Sequence, residues 1–386
     1  NTATVTSTIT VPTSALFGYT TMRGRMVYGT GAPCGTSSYS EAEDYTIKVT
    51  TPGLWTGEVN ADWANTSNWD DGIVPTSTID VTIPAGCPNY PILTGSLGIN
   101  TATYTFDCKS LLIQSGGSLA VNGNPLYNLG VLTVAGNLDI GDDFFLNSGS
   151  TVNLSGTISI GNTTGWHGQA YHNAGSIFNQ TGGHYYVESI GLVNGSQFNG
   201  TGGITHIYVH DFASNNNIEI DDPDSYFYRL NIESTANAAL YNCSYDLDVT
   251  YSTYLYGALN VGTFVMNSTY MDVYNTMTLG SGGTVNVTSN GPYIHSGGTL
   301  SMVTGALVNS AGNIQFQSGS AENITGGEIY IEENFYDFGN YFSPTGGSVI
   351  FDGSSTTTVF GPTIFYDLIV NKTAKDNSVN PISIIE

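Results

Sequence analysis

Positive charge is what this chain has least of. Its 386 residues carry seven Lys and Arg against 31 Asp and Glu, giving a formal net charge of -24 and a pI near 4.1. The seven are Arg23, Arg25, Lys48, Lys109, Arg229, Lys372 and Lys375, scattered along the chain. Phosphate recognition relies on clustered cations that release counterions, so nucleic acid and anionic membranes are poor partners. The charged fraction is only 10%, so the acidity reflects missing base rather than surplus acid. Calcium, cationic surfaces and neutral polysaccharides stay open as ligands. Helix-forming Glu, Lys, Arg and Gln are scarce, and no long stretch spaces its apolar residues by 3.6. Nor does any run approach the roughly 18 apolar residues of a membrane span, so insertion into a membrane is not expected. No signal peptide and no initiating Met stand at the front, which reads as a processed end or a fragment boundary.

What is abundant is glycine (48 residues), with Ser, Thr and Asn, 25 Tyr and 16 Phe. A low-charge, β-branched and aromatic composition cut by glycine predicts many short strands joined by tight turns. Hydrophobic residues make up 40%, enough to fill a core and to argue against disorder. The whole fits an exported, extracellular all-β protein.

Three regions differ in character. Residues 1–52 hold three strand-like stretches, "TATVTSTITV", "TTMRGRMVYG" and "EDYTIKVT", a meagre set for a small sandwich, and end in a linker at Pro52 and Gly53. Residues 53–109 carry Trp55, Trp63 and Trp69 and read as a cap and first coil for a repetitive C-terminal region. Residues 110–386 repeat a unit of Ser or Thr, two glycines and an alternating strand. Copies include "SGGSLAVNG" at 115, "TGGHYYVES" at 181, "TGGITHIYV" at 201, "SGGTVNVTS" at 281, "SGGTLSMVT" at 296, "TGGEIYIEE" at 325 and "TGGSVIFDG" at 345.

A right-handed parallel β-helix needs about 20 residues per coil and buries its inward side chains only by stacking coil on coil. The fold class expected is therefore a solenoid preceded by a small incomplete β-sandwich, in preference to a chain of small sandwiches. At about 4.8 Å per coil the repeats would build a rod roughly 60 Å long. The similarity of "YRLNIES" at 228 to "YDLIVNK" at 366 suggests a register restart near residue 215. Cys87 and Cys108 lie about one coil apart and are paired here as a disulfide, with roughly 3 kcal/mol expected from loop closure. Cys34 and Cys243 have no obvious partner, and no thiols show metal-ligand spacing.

Candidate chemistry is sparse. Asp221, Asp222 and Asp224 precede Arg229 in "IEIDDPDSYFYR" and read as a solvated turn, a calcium-stabilised loop or a carboxylate pair for sugar hydrolysis. Structural calcium is the one cofactor considered. Five histidines fall between 167 and 210: His167, His172, His184, His206 and His210. His184 and His206 share strand parity, which suits cross-rung stacking or a transition-metal site; His210–Asp211 would be an acid–base pair. Tyrosines crowding 226–275 read as core and cross-rung packing, or as ladders that bind sugar faces or a neighbouring subunit.

The stretch "RGRMVYG" followed by "PCGTSSYSEAEDYTI" resembles the closing part of a GEVED-type domain. Cys34, Glu41, Glu43, Asp44 and Tyr45 carry the likeness, and the core reads Ser40-Glu41-Ala42-Glu43-Asp44 with the Gly and Val positions replaced. "WTGEVNADWANTSNW" and "GIVPTSTIDVTIP" are similar to a segment that precedes adhesin-like β-helical repeats in the same class of surface proteins. The resemblance implies a secreted surface protein of bacteria that use type IX secretion, and it assigns no catalytic residue. It also implies front strands beyond those present here, and a sandwich lacking strands offers open edges for β-augmentation. The function expected is structural, not enzymatic: a filament subunit or adhesin stalk that joins copies of itself head to tail. Its donor would be residues 377–386, with Ile382, Ile384 and Ile385 as the inserting side chains. The competing expectation is a β-helix that binds or degrades polysaccharide, and surface glycans are the other partner considered.

Overall fold

The computed structural model describes residues 4, 6–12, 14–29, 34–36, 39–161, 168–209, 216–339, 342–372 and 383–385. From residue 80 onward the chain winds as a parallel β-solenoid of about 12 turns, with three strand-bearing walls per turn as far as residues 321–324 and two among the described residues beyond it. One coil shows why. Val131–Val134, Asn137–Ile140 and Phe144–Leu146 form its three walls, and each points alternate residues inward. Leu132, Val134, Leu138, Ile140, Phe144 and Leu146 are all fully buried. The next coil repeats the pattern in register, with Leu132 beside Val152, Leu138 beside Ile158 and Phe144 beside Ala170. Burying an aliphatic side chain is worth roughly 1.5–3 kcal/mol, and no coil gains it alone.

The first wall runs from Asp80–Ile83 to Asp367–Val370, the second reaches Ser383–Ile385, and the third starts at Leu97–Ile99. The register does not restart near residue 215. The second wall passes through that point as Thr205 beside Leu230, and the third as Ile190 beside Ile218. Only the first wall thins there, to a single bridge between Asn199 and Tyr226. The two similar heptads lie on different walls, since Phe227–Ile232 serves mainly the second and Asp367–Val370 the first. Their likeness is strand chemistry, not equivalent position.

The glycine pairs mark corners in two distinct ways. In the Ser-Gly-Gly copies the first glycine has positive φ, as at Gly116 (83°) and Gly297 (85°). In the Thr-Gly-Gly copies it is the second, as at Gly183 (65°) and Gly347 (88°). The repeat is thus a turn device placed at whichever corner needs it.

Beneath the first coil, Trp55, Trp63 and Trp69 form a buried cluster with centroids 4.8–6.3 Å apart. Trp69 Nε1 donates to Trp63 O at 2.8 Å and Trp55 Nε1 to Asn89 O at 2.8 Å. Leu54 bridges Thr82 in parallel, extending the first wall by one residue. Ahead of this cap stand Gly18–Val27 and Ser40–Val49, paired antiparallel. The third strand expected at "TATVTSTITV" is not formed among its described residues, which find no backbone partner. The two-stranded sheet meets the cap through Lys48, whose Nζ lies 2.5 Å from Asp70 Oδ1, while Thr51 N donates to Asp70 Oδ2.

Candidate functional site

The acidic trio of residues 41–44 does not converge. Strand geometry sends neighbours to opposite faces, so Glu41 and Glu43 point away from Asp44. Asp44 is gripped by Arg23, whose Nε and Nη2 donate to Oδ1 and Oδ2 at 2.7 Å each. That hydrogen bonding holds the Asp44 carboxyl below its ordinary range and lifts Arg23. On the other face the Tyr45 ring lies over Gly24, 3.3 Å from where a side chain there would begin. Cys34 lines a shallow hollow with Arg23, Arg25 and Asp44. The motif is a strand-pairing signature.

Asp221, Asp222 and Asp224 do not converge on one point. Asp222 is buried and spent on its own turn, accepting from Gly195 N (2.9 Å), Asp224 N (3.0 Å) and Ser225 Oγ (3.1 Å). Asp221 Oδ1 accepts from Ser244 N, and Asp224 is exposed. Arg229 donates to Ser252 Oγ and lies 5.3 Å and 5.6 Å over the rings of Tyr251 and Tyr254. Among the described residues no three His, Cys, Asp or Glu side chains are placed to hold a metal ion.

The histidines divide. His184 and His206 are offset by two residues in register, yet their rings meet, with Nδ1 of His184 3.0 Å from Nε2 of His206. His206 Nδ1 lies 2.6 Å from Glu233 Oε1, and its ring stacks on Tyr186 with centroids 4.2 Å apart. Burial pushes the His206 pKa down, against the opposing pull of Glu233. His172 points inward among Phe178, Tyr185 and Phe198. His295 joins Asp272 (2.6 Å) to Gln317 (3.2 Å) and stacks on Tyr274. His167, His210 and Asp211 lie outside the described residues.

The expected disulfide is not formed, and Cys34, Cys87, Cys108 and Cys243 are all free. Cys87 sits in a loop against Trp55 O and Pro84 O, at 3.6 Å each. Cys108 instead closes Phe106–Cys108 on the third wall and points into the core. One coil of sequence separation left Cys87 in the loop after Asp80–Ile83 and put Cys108 on the third wall. Of the assembly residues, Ile382 lies outside the described residues. Ile384 and Ile385 belong to Ser383–Ile385, which pairs parallel with Thr358–Phe360 of the same chain.

What sequence inspection overlooked is a column of rings outside the third wall. Tyr104, Tyr127, Phe145 and Tyr171 stack with centroids 4.1, 4.9 and 4.9 Å apart and planes within 7°. Phe145 is in register with both Tyr127 and Tyr171. Spacings of 23, 18 and 26 residues concealed it, because corners vary in length while register is kept. Asparagine ladders run elsewhere: Asn153–Asn179–Asn199 at 3.0 and 2.9 Å, and Asn267–Asn286–Asn309 at 2.7 and 2.7 Å.

The geometry defines a three-walled parallel β-solenoid carrying a small antiparallel sheet ahead of it. Residues 1–48 match the GEVED domain, and residues 54–190 match a domain of unknown function (DUF8693). No curated protein and no solved structure matches the chain. A GEVED domain followed by a β-solenoid fits a surface or extracellular β-helix protein. No helix among the described residues is long and apolar enough to cross a membrane.

Proposed function

We propose that this protein is an exported structural element of the cell surface, a stalk or filament segment whose solenoid acts as a rigid spacer. The observation that carries this reading is the unbroken parallel pairing of the second wall from Ser118–Val121 to Ser383–Ile385 over one continuous core. About 12 turns at roughly 4.8 Å each make a spacer near 60 Å long. Among the described residues, Asp221, Asp222, Arg229, His184 and His206 are engaged in turns, hydrogen bonds and stacks.

Head-to-tail joining by residues 377–386 is the finer version of this proposal. It requires Ser383–Ile385 to leave its pairing with Thr358–Phe360, so assembly would be an exchange of one partner strand for another. Deleting residues 380–386 tests it, with filaments scored by negative-stain electron microscopy. Filaments of undiminished length in the deletion variant sink the exchange; isolated rods support the stalk without it.

A further inference from the structure

In a solenoid, stacked rings consume one another's faces, so a ring offers its face to solvent only where the column breaks. The column on the third wall breaks at both ends, and each break is a glycine. Gly98 is in register with Tyr127 on one side and Asp107 on the other. Its missing side chain is replaced by Tyr104 from the adjoining loop, with a ring atom 2.5 Å from where a Gly98 Cβ would stand. Gly191 is in register with Tyr171 on one side and Glu219 on the other. There the space is open: among the described residues, only Glu219 Oε2, at 3.9 Å, comes within 4 Å of a Gly191 Cβ. The Tyr104 precedent shows that a rung vacated by glycine takes one six-membered ring.

We propose that the vacant rung at Gly191 binds one neutral pyranose ring of a glycan, stacked on Tyr171 and hydrogen-bonded by Glu219. The chemistry of the two walls selects this occupant. Tyr171 presents an electron-rich π face, which attracts the C–H groups of a sugar. Two rungs span about 9.6 Å. A ring about 3.5–4 Å above Tyr171 leaves roughly 5–6 Å to the Glu219 rung, within reach of a hydroxyl donating to the carboxylate. Oε1 of Glu219 is already held by Asn242 Nδ2 at 2.8 Å, whereas Oε2, the oxygen nearest the slot, has no hydrogen-bond partner among the described residues. A second aryl ring would set its negative face against that carboxylate. A uronic acid would set charge against charge, with no cationic side chain between Lys109 and Arg229 in sequence to offset it. This site stands independently of the stalk reading.

Saturation-transfer NMR on the full chain tests it, using neutral gluco-, xylo- and manno-pentaoses with an oligogalacturonate as the acidic probe. At least one neutral pentaose is expected to bind, at least about tenfold more tightly than the acidic one. Gly191→Tyr fills the rung with a tethered phenol and is expected to weaken binding by at least about tenfold with no loss of Tm. Tyr171→Leu removes the platform and is expected to do the same. Glu219→Gln is expected to narrow the preference for neutral over acidic sugar. The proposal is overturned by no neutral sugar binding at about 10 mM, as a slot filled from within the chain would give, or by equal binding of the acidic probe. Undiminished binding by the folded Gly191→Tyr variant also overturns it.

Discussion

The Nε2 atom of His172 lies 3.2 Å from the Tyr185 hydroxyl, and both groups are fully buried inside the solenoid. One hydrogen bond joins them, yet neutral His and Tyr together bring two hydrogens, so one donor goes unmet. Nδ1 of His172 has no partner among the described residues. Burial among aromatic rings pushes the His172 pKa down to about 3. The folded state therefore binds fewer protons than the unfolded one, where histidine titrates near 6.5. Stability is level above that value and falls as pH drops below it, by about 1.4 kcal/mol per unit until pH approaches 3. Thermal melts at pH 7, 6, 5 and 4 are expected to show this slope. His172→Leu, which matches Leu146 and Leu192 in the same inward column, is expected to flatten it. A variant with the parent's slope assigns the acid loss elsewhere, His206 being next, since burial lowers its pKa too.

Trp69→Ala is expected to cost about 3–5 kcal/mol, because the ring is buried edge-on against both Trp55 and Trp63. A solenoid couples each coil chiefly to its neighbours, so the damage should stay local. Hydrogen exchange is expected to quicken at Asp80–Ile83 while Thr284–Ile294 keeps its protection. Uniform quickening along the chain would contradict that locality.

Two glycines are expected to respond oppositely to alanine. At Gly183, φ is +65° and a Cβ would lie 1.7 Å from Gly156 O, so Gly183→Ala should destabilise by more than about 2 kcal/mol. At Gly191 the backbone is ordinary and the space free, so Gly191→Ala should stay within about 0.5 kcal/mol. Paired denaturant melts decide it, and equal losses would count against the register of either corner.

Thiol chemistry gives a fourth check. With all four cysteines free, prior reduction should leave the native mass unchanged. Exposed Cys34 should react first with a thiol reagent, and Cys108 only on unfolding, since burial raises its pKa far above the thiol range. Loss of two hydrogens between Cys87 and Cys108 in the native protein would restore the disulfide.

The solenoid was legible because alternation and glycine corners are local properties of sequence, as "SGGTVNVTS" shows. The GEVED likeness was legible for the same reason. Pairings between coils were not. Cys87 and Cys108, and the heptads at 228 and 366, were matched by distance or likeness along the chain. Corners of unequal length left Cys87 in a loop and Cys108 on the third wall, and put the two heptads mainly on the second and first walls. Asp222 looked like a ligand and is a turn anchor, because nothing in sequence shows that Gly195 N and Ser225 Oγ would claim it. The column ending at Tyr171 was hidden by irregular spacing, and its vacancy by the plainness of a single glycine.

The thinning of the first wall at Asn199 and Tyr226 has a mechanical meaning. Hydrogen bonds between coils lie along the long axis, so a pull on the ends passes through every junction in series. Strength under tension is then set by the least-bonded junction, not by their sum. That junction keeps its two other walls, and the Phe198 and Phe227 rings meet across it at 4.6 Å. Along the stretch where all three walls are formed, it is where a pulled molecule would part first and, with its rings already in contact, where it would most readily rejoin.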